Sequence, residues 1–185
     1  MPAPIDILIT RRLTLRPPLE VDAEALARGL GDFDVASRLS RVPHPYGLQD
    51  AVDWIASKQE EPGLCDFTVH REKLIGAVSV HQRHDHPTLG YWFAKPAWGK
   101  GYATEAVRAV MARAFRVFDC EEIHSYAWLD NAASLRVMEK LGFEQTGTGK
   151  THCTALGRDV DDIRTSVTRD KFERLFGSLD AKQAA

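Results

Sequence analysis

Cysteine is scarce in these 185 residues: Cys65, Cys120 and Cys153 are odd in number, widely spaced and form no C-x-x-C pair. That pattern supports neither a disulfide framework nor a cysteine zinc site, and it fits reduced thiols in a cytoplasmic protein. Long apolar runs are missing too. The opening stretch MPAPIDILITRRLTLRPP has no signal-peptide core, and nowhere do the ~18 consecutive apolar residues of a membrane helix occur, so no membrane contact is expected. Charge of one sign is also absent. A net charge of −2 gives no global attraction to nucleic acid, so any anion site must be local. Apolar residues at 44% and charged residues at 27% are those of a soluble globular chain. We read residues 1–185 as one domain, with a core of about 10–176, able to bury roughly 70% of its unfolded surface.

Two nucleotide motifs are incomplete. Gly99 and Gly101 fill two places of the Rossmann G-x-G-x-x-G pattern, but Thr104 stands at the third. Gly149-Lys150-Thr151 ends like a Walker A loop, yet Glu144 occupies its first glycine position, where a carboxylate would face the phosphates. The stretch GTGKT therefore reads as a solvated hairpin turn.

Periodicity supplies the elements. Leu13 and Leu15 alternate with Arg12, Thr14 and Arg16, predicting a first strand stopped by Pro17-Pro18. Residues 21–30 and 51–59 have helical spacing, the second with Asp50 as N-cap. Residues 67–69, 74–80 and 89–93 read as three antiparallel strands in a meander. From Thr104 one apolar stripe, Val107, Val110, Met111, Ala114 and Phe118, predicts a long amphipathic helix. A strand over 123–129, a helix over 132–141 closed by Gly142 and a strand over 162–168 follow, and the terminal DAKQAA reads as frayed. The order β, α, α, β, β, β, α, β, α, β, with a final strand pair, gives an α+β fold around one sheet.

The glycines of PAWGKGYATEA then gain a third meaning. The first N–H groups of a helix have no internal acceptor and sit at its positive end, so residues 99–104 either bind an anion or simply open a helix.

Here the sequence resembles a known family. Trp98-Gly99-Lys100-Gly101-Tyr102-Ala103 is similar to the pyrophosphate motif Q/R-x-x-G-x-G/A of the GNAT acetyltransferases, with Trp98 in place of its first residue. Thr10-Arg11-Arg12-Leu13-Thr14-Leu15-Arg16-Pro17 resembles the T-x-R-L-x-L-R-P opening of the RimJ/RimL-like branch. Gly90-Tyr91-Trp92 resembles that branch's GYW strand, and the segment from Asn131 to Phe143 its N-x-x-S…E-K-x-G-F helix.

The resemblance implies a mixed, mostly antiparallel sheet splayed between its central parallel strands, with helices on both faces. It implies acetyl-CoA as co-substrate, no metal, and direct acetyl transfer to a primary amine in a ternary complex. The acceptor is either a peptide or protein N-terminal α-amine or a small amine. Members that pair leave a homodimer open. Pyrophosphate binding falls on the backbone of Gly99, Lys100, Gly101, Tyr102, Ala103 and Thr104, and the pantetheine arm beside Tyr91, Trp92 and Phe93. A backbone N–H at Phe93 or Ala94 polarises the thioester carbonyl, Ser134 serves the departing thiolate, and Asn131 contacts the coenzyme or caps its helix. Residues 41–54 line the acceptor side, with His44, Tyr46 and Trp54 as candidates.

One part departs from the pattern. Many members carry a glutamate just before the GYW strand, whereas Thr88-Leu89 stand here. His81, with Asp85 and His86 behind it, is the candidate base. The triplet His81, His84, His86 also has metal-ligand chemistry, but no second cluster supports it. Without a carboxylate base, the other reading is a catalytically silent acyl-CoA-binding module.

Overall fold

The computed structural model describes residues 7–60, 65–83 and 85–179. The chain enters through β1 (Leu8–Ile9) and β2 (Thr14–Arg16), then forms α1 (Ala23–Leu30), the short α2 (Phe33–Ala36) and α3 (Leu48–Glu60). The expected meander follows as β3 (Asp66–Arg71), β4 (Lys73–Arg83) and β5 (His86–Phe93). After α4 (Tyr102–Phe118) come β6 (Glu122–Trp128), α5 (Ala132–Lys140), the hairpin β7 (Glu144–Cys153) and β8 (Arg158–Thr168), and α6 (Arg169–Phe176). The described strands make one eight-stranded sheet in the order β1-β2-β3-β4-β5-β6-β8-β7.

Helices cover both faces because the strands alternate. On β5, Pro87, Leu89 and Phe93 are buried towards α4. The stripe on α4 packs there: Val107, Val110, Met111 and Phe115 are fully buried, each worth about 1.5–3 kcal/mol. Phe115 completes that stripe, whereas the expected Phe118 is only partly buried at the helix end. Met138 of α5 and Phe172 of α6 join the same core. On the other face Ala23, Leu26, Ala51 and Ile55 of α1 and α3 pack with Leu74 and Trp92.

The parallel pair β5–β6 makes the opening. β4 and β5 stay in register from Gly76↔Phe93 to Arg83↔His86, while β5 and β6 share the single position Thr88↔His124. Beyond Thr88 the two strands part, so residues 89–93 present an edge to a gap.

Two local expectations change. Asp50 lies inside α3, not at its cap, and its carboxylate accepts from the Gly47 N–H at 2.7 Å, the reach-back half of a capping box. GTGKT runs through β7, and the turn comes later, at Thr154–Leu156. One face of β7 is solvent and its side chains are small or polar, so no apolar alternation announced it. The residues after the last strand form α6, and DAKQAA lies outside the described residues.

The N-terminal motif has a structural task. Arg16 donates to both oxygens of Asp22 at 2.7 Å, and the Leu19 N–H donates to the same carboxylate at 2.9 Å. Burial opposes ionisation of Asp22, but Arg16, the Leu19 N–H and His70 outweigh it and hold the carboxyl below its usual range. A depressed folded pKa stabilises above the unfolded value of about 4 and loses that contribution as pH falls through the folded one. Asp22→Asn should therefore cost about 3 kcal/mol at neutral pH, with the gap to the parent closing below about pH 4. Urea unfolding across pH measures this, and a pH-independent gap would refute it.

Candidate active site

The glycine stretch forms the start of α4. Gly99 and Gly101 have φ of 72° and 76°, a left-handed conformation that favours glycine. Gly101 is the N-cap of α4 and provides no side-chain cap, whereas Asn131 caps α5 and Thr168 caps α6 with side-chain oxygens. The first helical bond runs from Glu105 N to Gly101 O at 3.2 Å, so the N–H groups of Tyr102, Ala103 and Thr104 precede the ladder. A Cβ on Gly99 would meet open space within 4 Å, room for an anion to approach. Lys100 is exposed, and its carbonyl accepts from Arg12 at 3.0 Å.

Arg12 also pairs with Glu105 at 2.6 Å and lies 4.6 Å over the Tyr102 ring, while Thr10 donates to Glu105 at 2.7 Å. The Thr10–Arg12 part of the opening motif thus anchors this helix start. The contact joins residues 93 apart, which no local pattern announces.

The edge of β5 sorts its backbone groups. In an antiparallel pair, the N–H and C=O of alternate residues face the partner strand. Ala94 N donates to Ile75 O at 2.9 Å across to β4, so its amide is occupied. That corrects Ala94 as a carbonyl-polarising amide. The alternation turns the amides of Tyr91 and Phe93 into the gap, as the Leu89 carbonyl, which accepts from Ser125 on β6 at 3.1 Å, also indicates. The Phe93 carbonyl is occupied by the Trp98 indole N–H at 2.6 Å. Trp98, in the place of the motif's first residue, therefore ties the loop to the strand end. Trp92 points the other way, into the α1–α3 cluster.

Ser134 meets that edge from α5. Its Oγ lies 2.7 Å from the Tyr91 hydroxyl, which is 3.3 Å from the Ser134 carbonyl. Burial pushes the Tyr91 phenol up to about 12, against the pull of the Ser134 hydrogen bond, so it stays protonated at neutral pH. Asn131 Oδ1 accepts from the Ser134 N–H at 3.2 Å, so Asn131 is the helix cap and Ser134 a first-turn residue. The tyrosine side chain was the missed partner.

The opposite face of the sheet, towards α1 and α3, holds the base candidate. His81 pairs in register with Thr88, and Ser79 with both Asp66 and Gly90. The partner of His81 is Asp66: its Oδ1 lies 3.0 Å from His81 Nε2, and Lys58 lies 3.5 Å from Asp66 Oδ2. This replaces the expected Asp85 and His86. His86 instead stacks on His124 at 4.2 Å, and His124 contacts Glu122 at 3.2 Å. Burial opposes ionisation of Asp66, yet His81, Lys58 and Ser79 hold its carboxyl below the usual range. The His81–Asp66 contact is close, but it is poorly directed as a hydrogen bond.

The acceptor candidates separate. Tyr46 and Trp54 pack half-buried in the α1–α3 cluster beside Trp92, whereas His44 is exposed and meets the Phe33 ring edge-on at 5.0 Å. His84 lies outside the described residues. Among those described, no three His, Cys, Asp or Glu residues are arranged to hold a metal ion, and no helix is long and apolar enough to cross a membrane.

Comparison with known proteins gives the context. The family described as Acetyltransferase (GNAT) domain matches residues 12–144. YoaA, an uncharacterized N-acetyltransferase of Bacillus subtilis, is 27% identical over 174 residues, covering 89% of this chain and 98% of that protein. Ribosomal-protein-S5-alanine acetyltransferase from Vibrio fischeri superposes with a TM-score of 0.76 at 20% identity, covering 90% of this chain and 98% of that one. Spermidine N-acetyltransferase from Vibrio cholerae, solved with CoA and spermine, gives 0.74 at 19% identity over 88% and 99%. At such identities the two structures speak for the fold. The family match spans most of the chain, including the uncapped helix start and the parted strands: this protein belongs to the GNAT acetyltransferases, enzymes that use acetyl-CoA.

Proposed function

We propose that this enzyme acetylates the α-amine of a peptide or protein N-terminus, as a member of the RimJ/RimL-like branch. The N–H groups opening α4 hold the pyrophosphate, and the pantetheine arm lies along the free edge of β5. The Phe93 or Tyr91 amide polarises the thioester carbonyl, and Ser134 supplies the thiolate proton. The amine nitrogen bonds to the carbonyl carbon, the C–S bond breaks, and amide and CoA thiol result.

The observation that carries the acceptor reading is that the buried carboxylates on the α1–α3 side, Asp22 and Asp66, are paired, while the exposed Asp50 and Asp53 lie near Tyr46. Asp22 is matched by Arg16, Asp66 by Lys58 and His81, and Asp130 by Arg38 at 2.6 Å. A polyamine would find the two buried charges already matched and only the solvent-screened Asp50 and Asp53 left to attract it. Basicity points the same way. An α-amine with a pKa near 8 is about one-tenth neutral at pH 7, whereas an alkylammonium near 10.4 is neutral in only about one molecule in 2500. A site without a carboxylate base suits the former. The S5-alanine enzyme of the same fold is consistent with an N-terminal amine, and the spermidine enzyme shows that the fold alone does not decide.

Two measurements test this. CoA at 100 times its Kd should add about 2.7 kcal/mol and raise Tm by about 5–10 °C, with ATP and NAD giving no shift. Thiol release from acetyl-CoA should be at least tenfold faster with N-terminal peptides than with spermidine or N-terminally blocked lysine peptides. Faster reaction with spermidine overturns the acceptor reading, and CoA binding with no turnover on any amine favours the silent module.

A further inference from the structure

We propose that Asp66 and Lys58 form a buried support that fixes the His81 imidazole as the acceptor-side base, a role that rests on the amine acetylation described above. Asp66 comes from β3, His81 from β4 and Lys58 from α3, so three elements deliver one cluster. The Asp66 side chain is 3% exposed, and burying a carboxylate costs several kcal/mol before its partners offset it. Its β3 neighbours Phe67 and Val69 point to the opposite, α4-covered face, so the core there does not depend on Asp66.

Asp66 and Lys58 balance each other's charge. Asp66 contributes −1 and Lys58 +1, and the Lys58 ammonium lies 3.5 Å from the same Nε2 that faces Asp66 at 3.0 Å. Nε2 faces both Asp66 and Lys58, and the base role calls for the tautomer with its proton there, which leaves Nδ1 as a lone-pair acceptor. Among the described residues no group bonds Nδ1, and the His81 side chain is 30% exposed. His81 also pairs in register with Thr88, where β5 and β6 part.

In the reaction the amine lone pair forms the N–C bond while a nitrogen-bound proton passes to Nδ1, directly or through one water. The electrons of the C–S bond leave with the CoA thiolate, which takes a proton from the Ser134 side. The imidazolium is held by Asp66 until solvent removes the proton. Asp66 and Lys58 are positioning residues, because they act through His81.

The test joins kinetics to a readout that needs no turnover. Asp66→Asn should lower kcat at least tenfold with the acetyl-CoA Kd unchanged within twofold, and in a His81→Ala background should add less than a further twofold. Lys58→Gln, a half-buried position that tolerates change better, should lose severalfold and show the same dependence on His81. Nitrogen-15 spectra of the wild-type histidines should place the His81 proton on Nε2. A proton on Nδ1 would make Lys58 the donor to Nε2 and remove the base, and equal losses with and without His81 would make Asp66 merely structural. CoA binding without acetylation of any amine fails the function itself, base included, and the tautomer is still read separately.

Discussion

Replacing Ser134 by alanine should lower turnover roughly 30-fold and leave acetyl-CoA affinity nearly unchanged. The magnitude is that of one hydrogen bond to a charged group, about 2 kcal/mol, formed when the thiolate departs. A ground state with a neutral thioester sulfur asks little of the hydroxyl, so binding is spared. The Asn131 cap survives the change, because it uses the Ser134 N–H and not the side chain. Tyr91→Phe should fall less, since Tyr91 acts through Ser134: at 2.7 Å it can donate to Oγ and leave the serine proton for sulfur. Steady-state kinetics with calorimetric CoA titration separates the two effects. An unchanged kcat in Ser134→Ala removes Ser134 from the chemistry, and a large loss of affinity with kcat intact makes it a binding residue.

Gly101→Val should damage the other half of the site, weakening acetyl-CoA binding about 100-fold with kcat at saturation largely kept. A β-branched side chain at φ 76° is strained, and the helix start relaxes by turning its first amides away from the pyrophosphate. Losing two charge-assisted hydrogen bonds at about 1.5 kcal/mol each gives about 3 kcal/mol, which is that factor. The nearest atom to an added Cβ is Arg12 Nη2 at 3.5 Å, an ordinary contact, so backbone conformation and not crowding is the cause. The glycine is therefore needed for its φ. Wild-type affinity in the variant would mean that the pyrophosphate is held elsewhere.

Much of the scaffold was legible because its signals are local. The stripe Val107, Val110, Met111 and Ala114 is one face of a helix, and it buries as one. Gly142 closes α5 at φ 87°, and Asn131 opens it. The strand β7 escaped notice because Gly147, Gly149 and Lys150 carry no apolar period, and its pairing with β8 decides its state instead.

The candidate site divides on the same line. Residues 99–104, Ser134 and His81 could be named from their chemistry and from motifs contiguous in sequence. Their partners could not: Tyr91 meets Ser134 across 43 residues, and Arg12 meets Glu105 across 93. Asp66 could not be told from any other aspartate until register set it across β3 and β4 on the face of His81. The sequence by itself determined most of the elements, the glycine-rich helix start and the family. Only the tertiary structure decided which side chains share a space, because sheet register and the parting of β5 from β6 are properties of strands far apart in the chain.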